Sequence, residues 1–115
     1  MIGMGSGITT HTLLASPGVK RLDTVEIEPA MVAGARFFGE RSQRAFTDSR
    51  SNIAIDDART YFTKRNARYD LIVSEPSNPW VSSVSSVFSR EFYRQVTRYL
   101  EPDGLFVQWL HLYES

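Results

Sequence analysis

The sequence predicts a doubly wound α/β fold with a mainly parallel sheet, and three observations carry that expectation. Apolar strand-like segments alternate with helical segments along the chain. Residues 69–74, Tyr-Asp-Leu-Ile-Val-Ser, have the continuous apolar centre of a strand covered on both faces, as parallel strands are. A glycine-rich turn, Gly3-Met4-Gly5-Ser6-Gly7, stands between the first strand-like residues and the first helix. Right-handed crossovers then place successive βαβ units in one sheet.

The elements follow in order. Met1-Ile2 reads as the stub of a first strand, and the glycine turn leads into a helix over residues 8–15 that Pro17-Gly18 stops. Residues 21–27 read as the second strand. Glu28-Pro29 opens a helix, because proline suits the first helical position, and that helix reaches about residue 38. Residues 39–52 are polar with little periodicity. Ile53-Ala54-Ile55 is a short strand, and Asp57 caps a helix over residues 58–64. After the strand at 69–74 comes a Pro/Ser-rich loop over 75–86. Phe88, Phe92, Val96, Tyr99 and Leu100 recur at helical spacing, which predicts an amphipathic helix over 89–100. Glu101-Pro102-Asp103-Gly104 reads as a turn, and residues 105–112 as the last strand.

A length of 115 residues with no repeat or linker gives one domain, 1–115. The chain opens almost directly on its glycine turn and stops just after a strand, so the expectation is a piece of a longer protein, with a sheet incomplete at both ends. With 13 basic and 13 acidic side chains the net charge is zero, which offers no electrostatic basis for nucleic-acid binding. The absence of cysteine excludes disulfides, thiolate metal sites and cysteine nucleophiles, and two histidines far apart in sequence point to no metal site. No apolar run approaches a membrane span of roughly 18 residues. The expected setting is cytoplasmic, either as a free protein or as the soluble domain of a membrane-fused one. The oligomeric state stays open, a homodimer included.

Open α/β sheets bind ligands beyond the carboxyl ends of their strands, where strand order reverses. Four segments converge there. Gly3, Gly5 and Gly7 permit a tight turn and close approach of backbone to ligand; alone they indicate only a turn. Their Gly-x-Gly-x-Gly spacing differs from the Gly-x-Gly-x-x-Gly of nicotinamide sites. Glu26 ends the second strand, and an acid so placed accepts hydrogen bonds from ribose hydroxyls. Asp57 can accept from an adenine amine while serving as a helix cap, and Ala58 leaves room for the ring. Glu75 sits between an apolar strand and the rigid loop Pro76-Ser77-Asn78-Pro79-Trp80, facing the crevice. His11 and His111 read as surface or packing residues, and Ser82, Ser83, Ser85 and Ser86 as a loop.

Taken in order, Ile-Gly-Met-Gly-Ser-Gly (2–7), Val-Glu-Ile-Glu-Pro (25–29), Asp-Asp-Ala (56–58) and Tyr-Asp-Leu-Ile-Val-Ser-Glu-Pro-Ser-Asn-Pro-Trp (69–80) resemble the polyamine aminopropyltransferases. Phe-Ser-Arg-Glu-Phe-Tyr (88–93) and Gly-Leu-Phe-Val-Gln-Trp-Leu-His-Leu (104–112) resemble them too. The resemblance is to spermidine-synthase-like proteins and covers almost the whole chain. It implies the Rossmann-like fold of class I AdoMet-dependent methyltransferases and transfer of an aminopropyl group to an amine or polyamine. Decarboxylated S-adenosylmethionine, or S-adenosylmethionine itself, would be a co-substrate, with no tightly bound cofactor. Glu26 would hold the ribose and Asp57 the adenine, Glu75 would take the place of the catalytic aspartate, and Asn78 would stand on the acceptor side. Beside them, Gly3, Gly5, Gly7 and Ala58 leave room for the nucleoside, and Trp80 reads equally as a wall of the substrate pocket or as a core or interface residue.

Three departures from that family pattern bear on activity. Ser6 stands where the family carries an aspartate that attracts the ammonium of the decarboxylated donor. Asn78 replaces a second aspartate, and Glu75 is one methylene longer than the residue it replaces. A catalytic group misplaced by about 1 Å loses on the order of a hundredfold in rate. Two other readings therefore stand beside the first: methyl transfer from intact S-adenosylmethionine, and a catalytically degenerate nucleoside-binding domain of a larger protein.

Overall fold

A computed structural model describes residues 1–75 and 90–108. The elements are α1 (Ile8–Leu13), β1 (Leu22–Glu26), α2 (Pro29–Ala35), a 3₁₀ helix (Arg36–Arg41), α3 (Gln43–Thr47), β2 (Ser51–Ile55), α4 (Ala58–Arg65), β3 (Tyr69–Ser74), α5 (Arg90–Thr97) and β4 (Leu100–Gln108). Two helix starts follow from their caps. The Glu28 side chain accepts the Ala30 N–H at 3.2 Å, with Pro29 in the first helical position. Asp57 accepts the Thr60 N–H at 3.1 Å, and α4 stops where Asn66 turns left-handed at φ 47°.

Other boundaries differ from the expectation, and each difference has a local cause. The helix expected to reach residue 38 is α-helical only to Ala35, then tightens into the 3₁₀ turn, which Gly39 breaks at φ 57°. The stretch 39–52, polar and with little periodicity, contains α3 and the start of β2. Its order comes from tertiary contacts: Ser42 is 1% exposed and donates its hydroxyl to the Ala35 carbonyl at 2.6 Å. The expected turn at 101–104 lies inside β4. Tyr69 pairs with Leu100 and Leu71 with Leu105, so four residues bulge out opposite Asp70. Gly104 permits the bulge, since a side chain there would meet the Glu101 carbonyl oxygen at 2.9 Å. The Pro/Ser-rich loop after Glu75, the residue Ser89 and the end of the last strand lie outside the described residues.

Strand order sets the position of the site. β1 pairs in parallel with β2, and β3 in parallel with β4. Ile2 joins the two pairs, bridging Val25 on one side and Ser74 on the other. Its N–H donates to the Val73 carbonyl at 2.7 Å, and its own carbonyl accepts from the Glu75 N–H at 2.8 Å. The sheet therefore runs β2, β1, Ile2, β3, β4, and the order reverses at Ile2, immediately before the glycine turn.

Helices cover both faces. In β1, Asp23 accepts the Tyr69 hydroxyl at 2.6 Å on the face where Tyr69 packs with Ile2, Ala58, Phe62, Ile72, Phe92 and Val96. Thr24 points the other way, on the face it shares with its partner Ile53, which packs with Met4, Ala35, Ala45 and Phe46. The first cluster is roofed by α4 and α5, the second by α2 and α3.

Arg50 fastens the first crossover. Its guanidinium donates to the carbonyls of Leu14, Ser16 (2.9 Å) and Val19 (2.6 Å), while Nε and Nη2 hold Asp48 at 3.0 and 2.8 Å. The guanidinium first, and the Arg50 N–H second, lower the Asp48 carboxyl from its ordinary 3.8 to about 2. A depressed folded-state value means that this contribution to stability is complete above the ordinary value and is lost as pH falls through about 2. Asp48→Asn is therefore expected to lower stability near neutrality and to flatten the acid limb of a pH-unfolding curve. An unchanged acid limb, followed by circular dichroism, would show that the pair contributes nothing.

Candidate functional site

Four segments meet at the carboxyl end of the sheet. The turn after Ile2 places Gly3, Gly5 and Gly7 at φ 85°, 54° and 81°, a run that side chains other than glycine's adopt only with strain. Two of these positions have distinct reasons for lacking a side chain. A Cβ on Gly7 would press on Ser42 at 3.2 Å and Ala35 at 3.4 Å, so Gly7 lets the turn seat against α2 and α3. A Cβ on Gly5 would stand 3.9 Å from Oε1 of Glu75, so Gly5 faces the other acid of the crevice. Ser6 accepts the Ile8 N–H at 3.3 Å, one residue ahead of the Gly7 N-cap of α1.

Glu26 ends β1 with 2% exposure. Its Oε1 accepts the Met4 N–H at 2.9 Å and its Oε2 the Glu28 N–H at 3.0 Å. Asp56 follows β2. Its N–H donates to the Glu26 carbonyl at 3.0 Å, and its carboxylate accepts the Asp57 N–H at 2.8 Å and pairs with Lys64 at 3.5 Å. Asp57 takes the capping role that its position before a helix predicts, and Ala58 packs into the core beneath. Glu75 is fixed through its backbone to Ile2, and its Oε2 is buried with no hydrogen-bond partner among the described residues. Asn78, Trp80 and His111 lie outside those residues. His11 stays away from the chemistry, with its Nδ1 accepting the Arg44 N–H at 2.9 Å.

The register brings in residues that motif reading missed. Ser74 pairs with Gln108, and Ser74 Oγ and Gln108 Nε2 are both buried without partners among the described residues. Gln108 Oε1 accepts from the Tyr93 hydroxyl, which turns the amide N–H₂ the other way. Buried polar atoms are normally satisfied, and Ser74, Glu75 and Gln108 at neighbouring strand ends leave three such atoms without a partner among the described residues. Only the pairing of β3 with β4 could have shown this. A separate cavity of about 490 Å³ lies at the opposite end of the sheet, lined in part by Arg21, Asp23, Arg65, Arg68 and Tyr69, and shares no residue with this crevice.

The crevice is acidic in a chain of zero net charge, with Glu26, Asp56, Asp57 and Glu75 at adjoining strand ends. It suits a ligand with hydroxyl donors and positive charge. The polyamine aminopropyltransferase of Thermoplasma volcanium is 36% identical over 108 residues, covering 93% of this chain and 38% of that protein. That of Moorella thermoacetica is 32% identical over 107 residues, again covering 93% and 38%. The chain thus spans about two fifths of the length of these curated relatives. A spermidine synthase solved in complex with the transition-state analogue AdoDATO superposes with a TM-score of 0.82 at 26% identity, over 93% of this chain and 36% of that one. Human methyltransferase-like protein 13, solved with SAH, gives 0.68 at 25% identity over 91% and 50%. The fold is accordingly the Rossmann-like methyltransferase fold that the strand order describes. The sequence profile of the spermine/spermidine synthase domain matches residues 1–111, and the chain belongs to that family.

Proposed function

We propose that residues 1–115 are the nucleoside-binding and catalytic core of an aminopropyltransferase that uses decarboxylated S-adenosylmethionine and an amine or polyamine acceptor. The observation that carries this reading is the placement of Glu75, with an unpartnered buried oxygen, across the glycine turn from the Glu26 side of the crevice. The donor is consumed as a co-substrate, with no tightly bound cofactor. Gly3, Gly5 and Gly7 let its backbone-facing side approach, Glu26 receives the ribose hydroxyls, and Asp57 and Ala58 take the adenine edge. The acceptor is protonated at neutral pH, and only its free amine attacks. The nitrogen forms a bond to the propyl carbon as that carbon's bond to the sulfonium breaks, and the electron pair leaves on the neutral thioether. Glu75 accepts the amine's proton and offers negative charge to the remaining ammonium groups. Asn78 and Trp80 complete the acceptor side. No helix among the described residues is long and apolar enough to cross a membrane.

One observation favours methyl transfer as a second reading. Ser6 is neutral and occupied with the Ile8 N–H, so nothing at that place repels a donor carboxylate. An amide NMR titration with each donor separates the two. Stronger shifts at Gly5, Glu26 and Asp57 with the decarboxylated compound, and an aminopropylated product by mass spectrometry, are the expected result. An equal or stronger response to S-adenosylmethionine, with a methylated product, would replace the first reading by the second. Binding of either donor without transfer to any amine would leave a nucleoside-binding domain.

A further inference from the structure

Holding a ribose requires only that Glu26 present its carboxylate to the crevice. The structure gives that carboxylate a second set of partners. Both oxygens already accept backbone N–H groups, Oε1 from Met4 at 2.9 Å and Oε2 from Glu28 at 3.0 Å, and the residue is 2% exposed. Met4 lies in the middle of the glycine turn, and Glu28 caps α2. One side chain therefore ties together the two backbone turns on either side of the ligand crevice.

The glycine turn needs such a tie. With Gly3, Gly5 and Gly7 all at positive φ, it is drawn from residues with the widest choice of backbone conformations. Packing fixes the turn at two places: the Met4 side chain is 1% exposed beside Ala35 and Ala45, and Gly7 seats against Ser42. Neither contact satisfies the Met4 N–H, which points inward and has no access to water. A charged acceptor bonds such a group roughly twice as strongly as a neutral one. Each carboxylate oxygen also has two acceptor sites, so both remain able to take a hydroxyl after accepting an N–H.

We propose that Glu26 is a positioning residue that sets the shape of the glycine turn and of the β1–α2 turn before any ligand arrives. A diol-bearing ligand then donates to the same two oxygens, so ligand binding and turn geometry are linked through one carboxylate. The ligand half of this inference rests on the nucleoside reading above; the turn half does not.

The test uses amide hydrogen exchange on the ligand-free protein, comparing wild type with Glu26→Gln. Glutamine keeps one carbonyl oxygen and turns an N–H₂ toward the other amide, so one of the two bonds is lost. Exchange at Met4 or Glu28 is expected to accelerate about tenfold or more, the factor for a lost bond near 1.4 kcal/mol. Amides of Ile72 and Val73 should keep their protection, which reports that the sheet is intact. If Glu26→Gln does not fold, Glu26→Asp gives the same reading, since it keeps the charge but withdraws it by one methylene. Unchanged protection at both Met4 and Glu28 would overturn the proposal, even if S-adenosylmethionine binding is lost, because Glu26 would then be a contact residue only. Accelerated exchange in the variant, together with failure of the wild type to bind either donor, would uphold the turn-setting role and remove the nucleoside reading instead.

Discussion

Glu75→Gln is expected to lower aminopropyl transfer by about 10²–10⁴-fold, the range for losing a general base, while donor affinity stays near the wild-type value. The substitution keeps the shape and the backbone bond to Ile2. It removes the proton acceptor and the charge. Glu75 Oε2 has no hydrogen-bond partner among the described residues, so replacing that oxygen breaks no bond there and the variant should remain stable. Single-turnover rates with a bound donor, set beside a donor titration, would separate chemistry from binding. Turnover within about threefold of wild type would remove Glu75 from the reaction, since general-base losses start near a hundredfold.

The second large effect is on stability. Phe62→Ala is expected to cost about 3–5 kcal/mol, the usual range for truncating a buried phenylalanine. Phe62 is 4% exposed, stacks on Tyr99 with centroids 4.9 Å apart, and meets Tyr69 edge-on at 6.1 Å. Through these two ring contacts it joins α4 to β3 and to the turn that follows α5. Domains have only about 5–15 kcal/mol to lose, so the variant should unfold at much lower denaturant. A change below about 1 kcal/mol in urea unfolding would mean that neighbouring rings refill the space, an outcome outside the range for this substitution.

Much of the fold was legible because local chemistry and global position agreed. The bounds of β3 match the apolar run at Tyr69–Ser74, and Asp57 and Glu28-Pro29 mark true helix starts. Legibility failed where order comes from distant partners. Ser42 is held by Ala35 and Arg44 meets His11, and neither pairing leaves a period in residues 39–52. The bulge in β4 looks like a turn from sequence because Pro102-Asp103-Gly104 has turn chemistry. Only pairing with β3 shows that the strand resumes in register.

The site divides in the same way. Strand-end acids are visible as motifs, so Glu26, Asp57 and Glu75 could be named from their order along the chain. What each acid touches could not be read. Glu26 looked like a free acceptor and proves to be buried and bonded to backbone N–H groups on both oxygens. Ser74 and Gln108 carry no motif, and they become neighbours only through the β3–β4 register.

Connections on the surface of an α/β domain usually accept extra residues freely, because little depends on their path. The one that leaves α1 is different. Three carbonyls between Leu14 and Val19 converge on a single planar guanidinium, and a fork of fixed geometry can reach them only at one spacing. Lengthening this stretch by even one residue would carry a carbonyl beyond the fork. A lysine at position 50 would supply a point charge in place of the fork's fixed array of donors. Among relatives, the length of this connection and the arginine should change together or not at all.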